Sequence, residues 1–178
     1  CDFYISNGTE EITLNVPVLY RRTDPVEGEK YRAVEIVPPA TIKFDDKLLI
    51  FSDSNRKEIT ISVKTNFDGI TGKLKFQIPD GWKVEPSEIN FQLAKKYDEE
   101  FFKIAITPPQ NNSNDVLIAS VETNYGNSSY SLREINSPHI KPQIVLSESE
   151  IKIIKLDLPK SVNRIGYIMG SGDDVPIY

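Results

Sequence analysis

The chain has one cysteine, Cys1, and one histidine, His139, in 178 residues. With a single thiol no internal disulfide can form, so the fold must hold by burial alone. The compartment stays open on that count, because many bacterial periplasmic domains also lack disulfides. The lone imidazole argues against most metal and nucleophile chemistry at once. A zinc site needs three or four ligands from His, Cys, Asp or Glu, and a Ser-His-acid triad would have to recruit His139, which no Gly-x-Ser-x-Gly turn accompanies. Cysteine catalysis would rest on Cys1, at a frayed end. No apolar run approaches the roughly 20 residues of a membrane-spanning helix, so no membrane span is expected. Heptads, internal repeats and low-complexity tracts are missing as well. Basic residues are outnumbered, 21 Lys and Arg against 26 Asp and Glu, for a formal net charge of −5. Without the basic stripe that follows phosphates, nucleic acid is not an expected partner, and Arg21-Arg22 and Lys95-Lys96 read as solvated loop charges.

What the chain does have is alternation. Apolar residues fall on every second position, the period of a strand with one buried face. Ile12, Leu14, Val16, Val18 and Tyr20 predict a first strand, with Pro17 at an edge or bulge because it cannot donate to a ladder. Tyr31 to Val37 is extended until Pro38-Pro39 stops it. Thr41 to Phe44 and Lys47 to Phe51 read as a pair. Ile59, Ile61 and Val63 follow, then Leu74, Phe76 and Ile78, then Trp82 to Val84 after the Pro79-Asp80-Gly81 turn. Ile89, Phe91 and Leu93 come next, then Phe102, Ile104 and Ile106. Val116 to Thr123 and Ser129 to Ile135 predict a hairpin across residues 124–127, and Ile151 to Leu158 is the last regular strand. Some seven or eight strands between residues 40 and 158, spaced by Gly, Pro and Asn turns, predict an all-β chain folded as an immunoglobulin-like antiparallel sandwich without the cysteine pair.

Three segments are expected: residues 1–37 as N-terminal strands and linker, 38–160 as the sandwich, and 161–178 as the cut-off start of an α/β domain. The last rests on Arg164 to Pro176, a short apolar strand entering a glycine-rich loop. Cys1 is either a lipid-bearing N-terminal residue or the trimmed end of a longer chain. Strand-like sequence begins almost at once, which favours the trimmed end.

The remaining chemistry is thin. Asp45-Asp46, Glu99-Glu100 and Asp173-Asp174 are adjacent acids, but neighbours on a strand point to opposite faces and do not make a catalytic couple. Gly170-Ser171-Gly172 lacks the third glycine and the Lys-Ser/Thr of a phosphate loop. Asp45-Asp46-Lys47 and Asp53-Ser54-Asn55 lack the glycine-centred spacing of a calcium loop. Aromatics are more informative. Tyr97, Tyr125 and Tyr130 fall in or beside predicted loops, where a ring combines an apolar face with a polar edge and can stack on a sugar. Trp82, flanked by strands, is expected in the core.

One stretch is familiar. Ile78-Pro79-Asp80-Gly81-Trp82-Lys83-Val84-Glu85-Pro86, followed by Phe102-Lys103-Ile104-Ala105-Ile106-Thr107-Pro108-Pro109, resembles the sandwich domain associated with bacterial alpha-galactosidases and other glycan-active enzymes. Val16 to Glu29, Glu35-Ile36-Val37-Pro38-Pro39 and Ile165 to Pro176 resemble the region that follows the catalytic domain in large PIG-L (LmbE-like) deacetylases. The likeness spans essentially the whole chain. It implies a parent that removes acetyl groups from N-acetylglucosamine-type substrates with zinc held by a His-Pro-Asp-Asp motif and a further histidine. Asp173-Asp174 is not preceded by His-Pro, so no catalytic residue carries over and no cofactor is expected in this chain. The resemblance implies a non-catalytic accessory module, periplasmic or secreted, whose partners are neighbouring domains of the same polypeptide. The alternative is a carbohydrate-binding module built on the loop tyrosines, with glycan as the partner.

Overall fold

A computed structural model describes residues 1–26, 28–137, 139–157 and Ile168. Among them every regular element is a strand. In chain order these are β1 (Asp2–Ser6), β2 (Glu11–Asn15), β3 (Leu19–Asp24), β4 (Gly28–Ala33), β5 (Ala40–Phe44), β6 (Leu48–Phe51), β7 (Lys57–Thr65) and β8 (Ile70–Gln77). They continue with β9 (Lys83–Glu85), β10 (Glu88–Leu93), β11 (Glu99–Thr107), β12 (Ser113–Thr123), β13 (Gly126–Ser128), β14 (Tyr130–Ser137), β15 (Ile140–Glu148) and β16 (Glu150–Lys155). No helix among the described residues is long and apolar enough to cross a membrane.

The body is a sandwich, as the alternation predicts. One sheet runs β5-β7-β11-β9 and the other β10-β8-β12-β16-β6, with β13 also on β12. Ile42, Ile61, Val63, Ile104 and Ile106 from the first sheet meet Phe51, Ile70, Leu74, Leu117, Val121, Ile151 and Ile153 from the second in one apolar core. Each such side chain, removed from water, contributes about 1.5–3 kcal/mol. Gly72 lies on β8 where a Cβ would sit 2.4 Å from the Glu122 carbonyl and 2.9 Å from the Phe91 ring. Only a residue without a side chain lets Phe91 pack there. Trp82 is in the core, as expected. Its indole meets Phe51 edge-on at 5.3 Å, and its N–H donates to Asp115 Oδ2 at 2.9 Å, which satisfies the one polar atom the ring buries.

Pairing departs from the sequence reading in four places. Thr41 to Phe44 and Lys47 to Phe51 are not partners: β5 pairs with β7, while β6 pairs with β16, in parallel. The chain changes sheets at Asp45-Asp46-Lys47 so that Phe44 and Phe51 both reach the core, and among the described residues the expected all-antiparallel order has this one exception. The predicted strand over residues 12–20 breaks after Asn15, with Pro17 in the gap, because β2 pairs with β1 and β3 with β4 in separate hairpins. Extended structure from Tyr31 ends at Ala33, opposite Leu19, where the partner strand begins.

The fourth departure is the largest. Only the short β13 folds back on β12; Tyr130 to Ser137 leaves the sheet to pair with β15, a strand not anticipated from sequence. Ser149 then returns, its N–H donating to Ser129 O at 2.7 Å and its carbonyl accepting from Ala119 N at 2.9 Å. β13 and β16 therefore occupy one interrupted position beside β12, and the β14–β15 hairpin is an excursion from it. Arg32 reaches Glu134 on this hairpin at 3.1 Å, and Glu35 accepts from Ile144 N at 3.2 Å, tying the N-terminal segment to the excursion. Of the α/β start expected at 161–178, all but the exposed Ile168 lies outside the described residues.

Candidate functional site

Three loops at one end of the sandwich follow β7, β10 and β12, and local chemistry shapes each. After β7 the buried Thr65 hydroxyl donates to Phe67 O at 2.8 Å and accepts from Phe67 N at 3.1 Å, a tight turn that puts the Phe67 ring outward. Asn66 donates from its side chain to Pro38 O and from its N–H to Pro39 O, both at 2.8 Å, so the Pro38-Pro39 stop is fastened to this loop. Gly69, at φ +65°, reverses the chain, and its N–H donates to Ala94 O at 3.0 Å.

The loop after β10 is braced from both sides. Lys96 N donates to Asp68 Oδ1 at 2.7 Å, Lys95 N to Asp98 Oδ2 at 2.8 Å, and Tyr97 N to Thr65 O at 2.9 Å. Tyr97 is held at φ +72°, a left-handed backbone that side-chain-bearing residues rarely adopt. The Lys96 ammonium lies 4.9 Å from the centre of its ring, in cation–π range. After β12, Asn124 Oδ1 accepts from Thr71 N at 3.2 Å, and Tyr125 stacks on Phe67 with centroids 5.2 Å apart and planes 13° from parallel.

The result is a cleft of ≈ 380 Å³ with three walls: residues 35–37 of the N-terminal segment, 66–68 and 96–97. Phe67 is 47% exposed, Tyr97 61% and Tyr125 54%. Acid, base and amide groups from Asp68, Lys96 and Asn66 stand among the rings.

Of the predicted site residues, Tyr97 and Tyr125 come to this end of the molecule. Tyr130 does not: it starts β14, opposite Glu148, at the base of the excursion. Phe67 is the ring the sequence reading missed. It sits in Asn66-Phe67-Asp68-Gly69, a turn-forming stretch, and the criterion that singled out the tyrosines, an aromatic in a predicted loop, would have found it. His139 and Cys1 are exposed. Glu99 and Glu100 fall opposite Lys64 and Val63 on successive positions of β11, and so on opposite faces. Among the described residues no three His, Cys, Asp or Glu side chains gather as metal ligands.

A second groove, of ≈ 730 Å³, separates the β14–β15 excursion from the β5–β6 turn and β16. Its walls carry both signs, Asp45, Glu134 and Glu150 with Lys43, Arg133 and Lys152. The buried Ser149 hydroxyl has no hydrogen-bond partner among the described residues. Lys155 is 1% exposed and paired with Asp157, whose N–H donates to Asn112 Oδ1 at 2.6 Å. The ion pair gives the buried ammonium a counter-charge, the Asn112 bond holds Asp157 in place for it, and the group reads as structural.

No protein-family model matches the chain, and no curated protein matches it.

Proposed function

We propose that the chain is a non-catalytic accessory module of the immunoglobulin-like kind, which holds neighbouring domains of a multidomain PIG-L-like N-acetylglucosamine deacetylase in arrangement. The observation that carries this reading is the first hairpin. Phe3 faces Leu14 and Ile5 faces Ile12 across β1 and β2, a ladder of four large apolar side chains on one face. They are 52%, 47%, 55% and 60% exposed respectively. An apolar ladder of this kind in water is a surface waiting for another surface, and hairpins of two strands are at best marginal alone. The resemblance of Pro79 to Pro86 and of Val16 to Glu29 to accessory regions of glycan-active enzymes supports the parent named here. The parent's zinc chemistry belongs to another domain in this reading, and its setting is periplasmic or secreted.

Two measurements test the proposal. Acetate release from N-acetylglucosamine oligomers by the chain with added zinc is expected at background, and turnover overturns the non-catalytic assignment. Hydrogen exchange of β1 and β2 is expected to slow when the chain is joined to the domain that precedes it; unchanged exchange overturns the docking role.

A further inference from the structure

We infer that the cleft between Phe67 and Tyr97 is a binding site for a neutral saccharide. Three rings at half exposure come from three separate loops, and hydrogen bonds to backbone hold those loops in place before any ligand arrives. A preformed site loses little conformational freedom on binding. Tyr97 is the sharpest sign. Its φ of +72° costs about 1–2 kcal/mol against an ordinary backbone, and non-glycine residues persist in such conformations mainly where the surroundings over-determine them, at ligand sites above all.

The composition of the cleft selects the ligand class. Pyranose rings have apolar C–H faces and hydroxyl edges, so they need a flat ring to stack on and polar groups beside it. Phe67, backed by Tyr125, and Tyr97 provide the rings; Asn66 and Asp68 line the cleft with them, and the Lys96 ammonium, 4.9 Å over one face of the Tyr97 ring, adds donors. Asp68 and Lys96 offset each other, and Glu35, the second acid of the lining, is paired with Arg32 at 3.4 Å, which suits an uncharged ligand better than a phosphate or a polyanion. At ≈ 380 Å³ the cleft lies at the small end of the roughly 300–1,000 Å³ usual for small-molecule sites and admits a short saccharide segment. The third wall, residues 35–37, connects the N-terminal segment to the sandwich, so an occupied cleft also braces the joint between them. This inference does not rest on the deacetylase parent; either can fail while the other stands.

The test is titration of the full chain by calorimetry and by amide NMR with cello-, xylo-, manno- and chito-oligosaccharides. At least one is expected to saturate, moving the amides of residues 66–68, 96–97 and 124–125. Phe67→Ala is expected to weaken that binding about tenfold, the equivalent of one lost ring contact. Tyr97→Asn, which removes the ring but tolerates the left-handed backbone, is expected to do the same. Tyr130→Phe is expected to leave it unchanged. Binding weaker than about 1 mM to all four sugars overturns the inference, as does binding that both ring variants retain. The same amides shifting with protein concentration in the absence of sugar would identify a second copy of the chain as the occupant, and would also overturn it.

Discussion

The N-terminal hairpins and the sandwich are written in the same alternating pattern and differ in what happens to it. On β7, Ile59, Ile61 and Val63 are at most 6% exposed; on β1 and β2, with equal alternation, Phe3, Ile5, Ile12 and Leu14 all stay near half exposed. Period two says that a strand has a face to bury. It does not say which surface will bury it. In the sandwich that surface is the opposite sheet, supplied by the same stretch of chain, whereas for the hairpins no described residue supplies it.

Substitution can sharpen or break this contrast. The largest effect is expected from Leu74→Ala, which empties space in the shared core and should cost about 2–5 kcal/mol by urea unfolding. The same change at Leu14 should stay within about 0.5 kcal/mol in the isolated chain, as for other surface sites. Equal losses at the two leucines would mean that the hairpins are as well packed as the sandwich. Next comes Gly72→Ala, whose methyl group collides with the Glu122 carbonyl and the Phe91 ring; a loss of about 1–3 kcal/mol is expected from overpacking. A methyl group at Gly8, in the β1–β2 turn, meets nothing within 4 Å, and only its backbone at φ +92° resists. Gly8→Ala should therefore lower the melting temperature of the hairpin's own protection and leave the sandwich transition where it was.

Hydrogen exchange asks the same question without mutation. Amides of β7, β11 and β12, whose ladders lie over the core, should exchange only through global opening, and those of β1 to β4 much faster through local fraying. Uniform protection along the chain would merge the two regions into one cooperative unit. A small effect of opposite sign is expected at Tyr97→Gly. Relief of the left-handed backbone is offset by glycine's greater freedom in the unfolded chain, for a net gain of at most about 1 kcal/mol. That variant is also the cleanest one in which to look for lost ligand binding with stability intact.

Much of the sandwich was legible because alternation is a local property. The inward sets on β7, β8, β10 and β11 follow from the spacing of Ile, Leu, Val and Phe, and Trp82 is in the core where its flanking strands predict it. Pairing was less legible. Ser129 to Ile135 alternates well enough to continue the sheet, but Ser149 competes for the place beside β12 and carries the chain on into β16. The β15 strand is not marked by spacing, because its one proline, Pro142, and mixed polarity break the alternation. Edge strands of a two-stranded hairpin tolerate both. At the candidate site the rule that flagged loop aromatics named Tyr97 and Tyr125. It could not separate Tyr130 from them, since all three look alike until the loops are placed.

The order of residues by itself determined that this chain forms strands and which face of most of them turns inward. Those properties depend on side chains a few positions apart. Only the tertiary structure decided that β5 and β6 part to opposite sheets, that β14 and β15 leave the body, and that Phe67, Tyr97 and Tyr125 meet at one end. Each of these joins residues tens of positions apart, and the free energy that selects them comes from burial shared between distant segments, which no local pattern records.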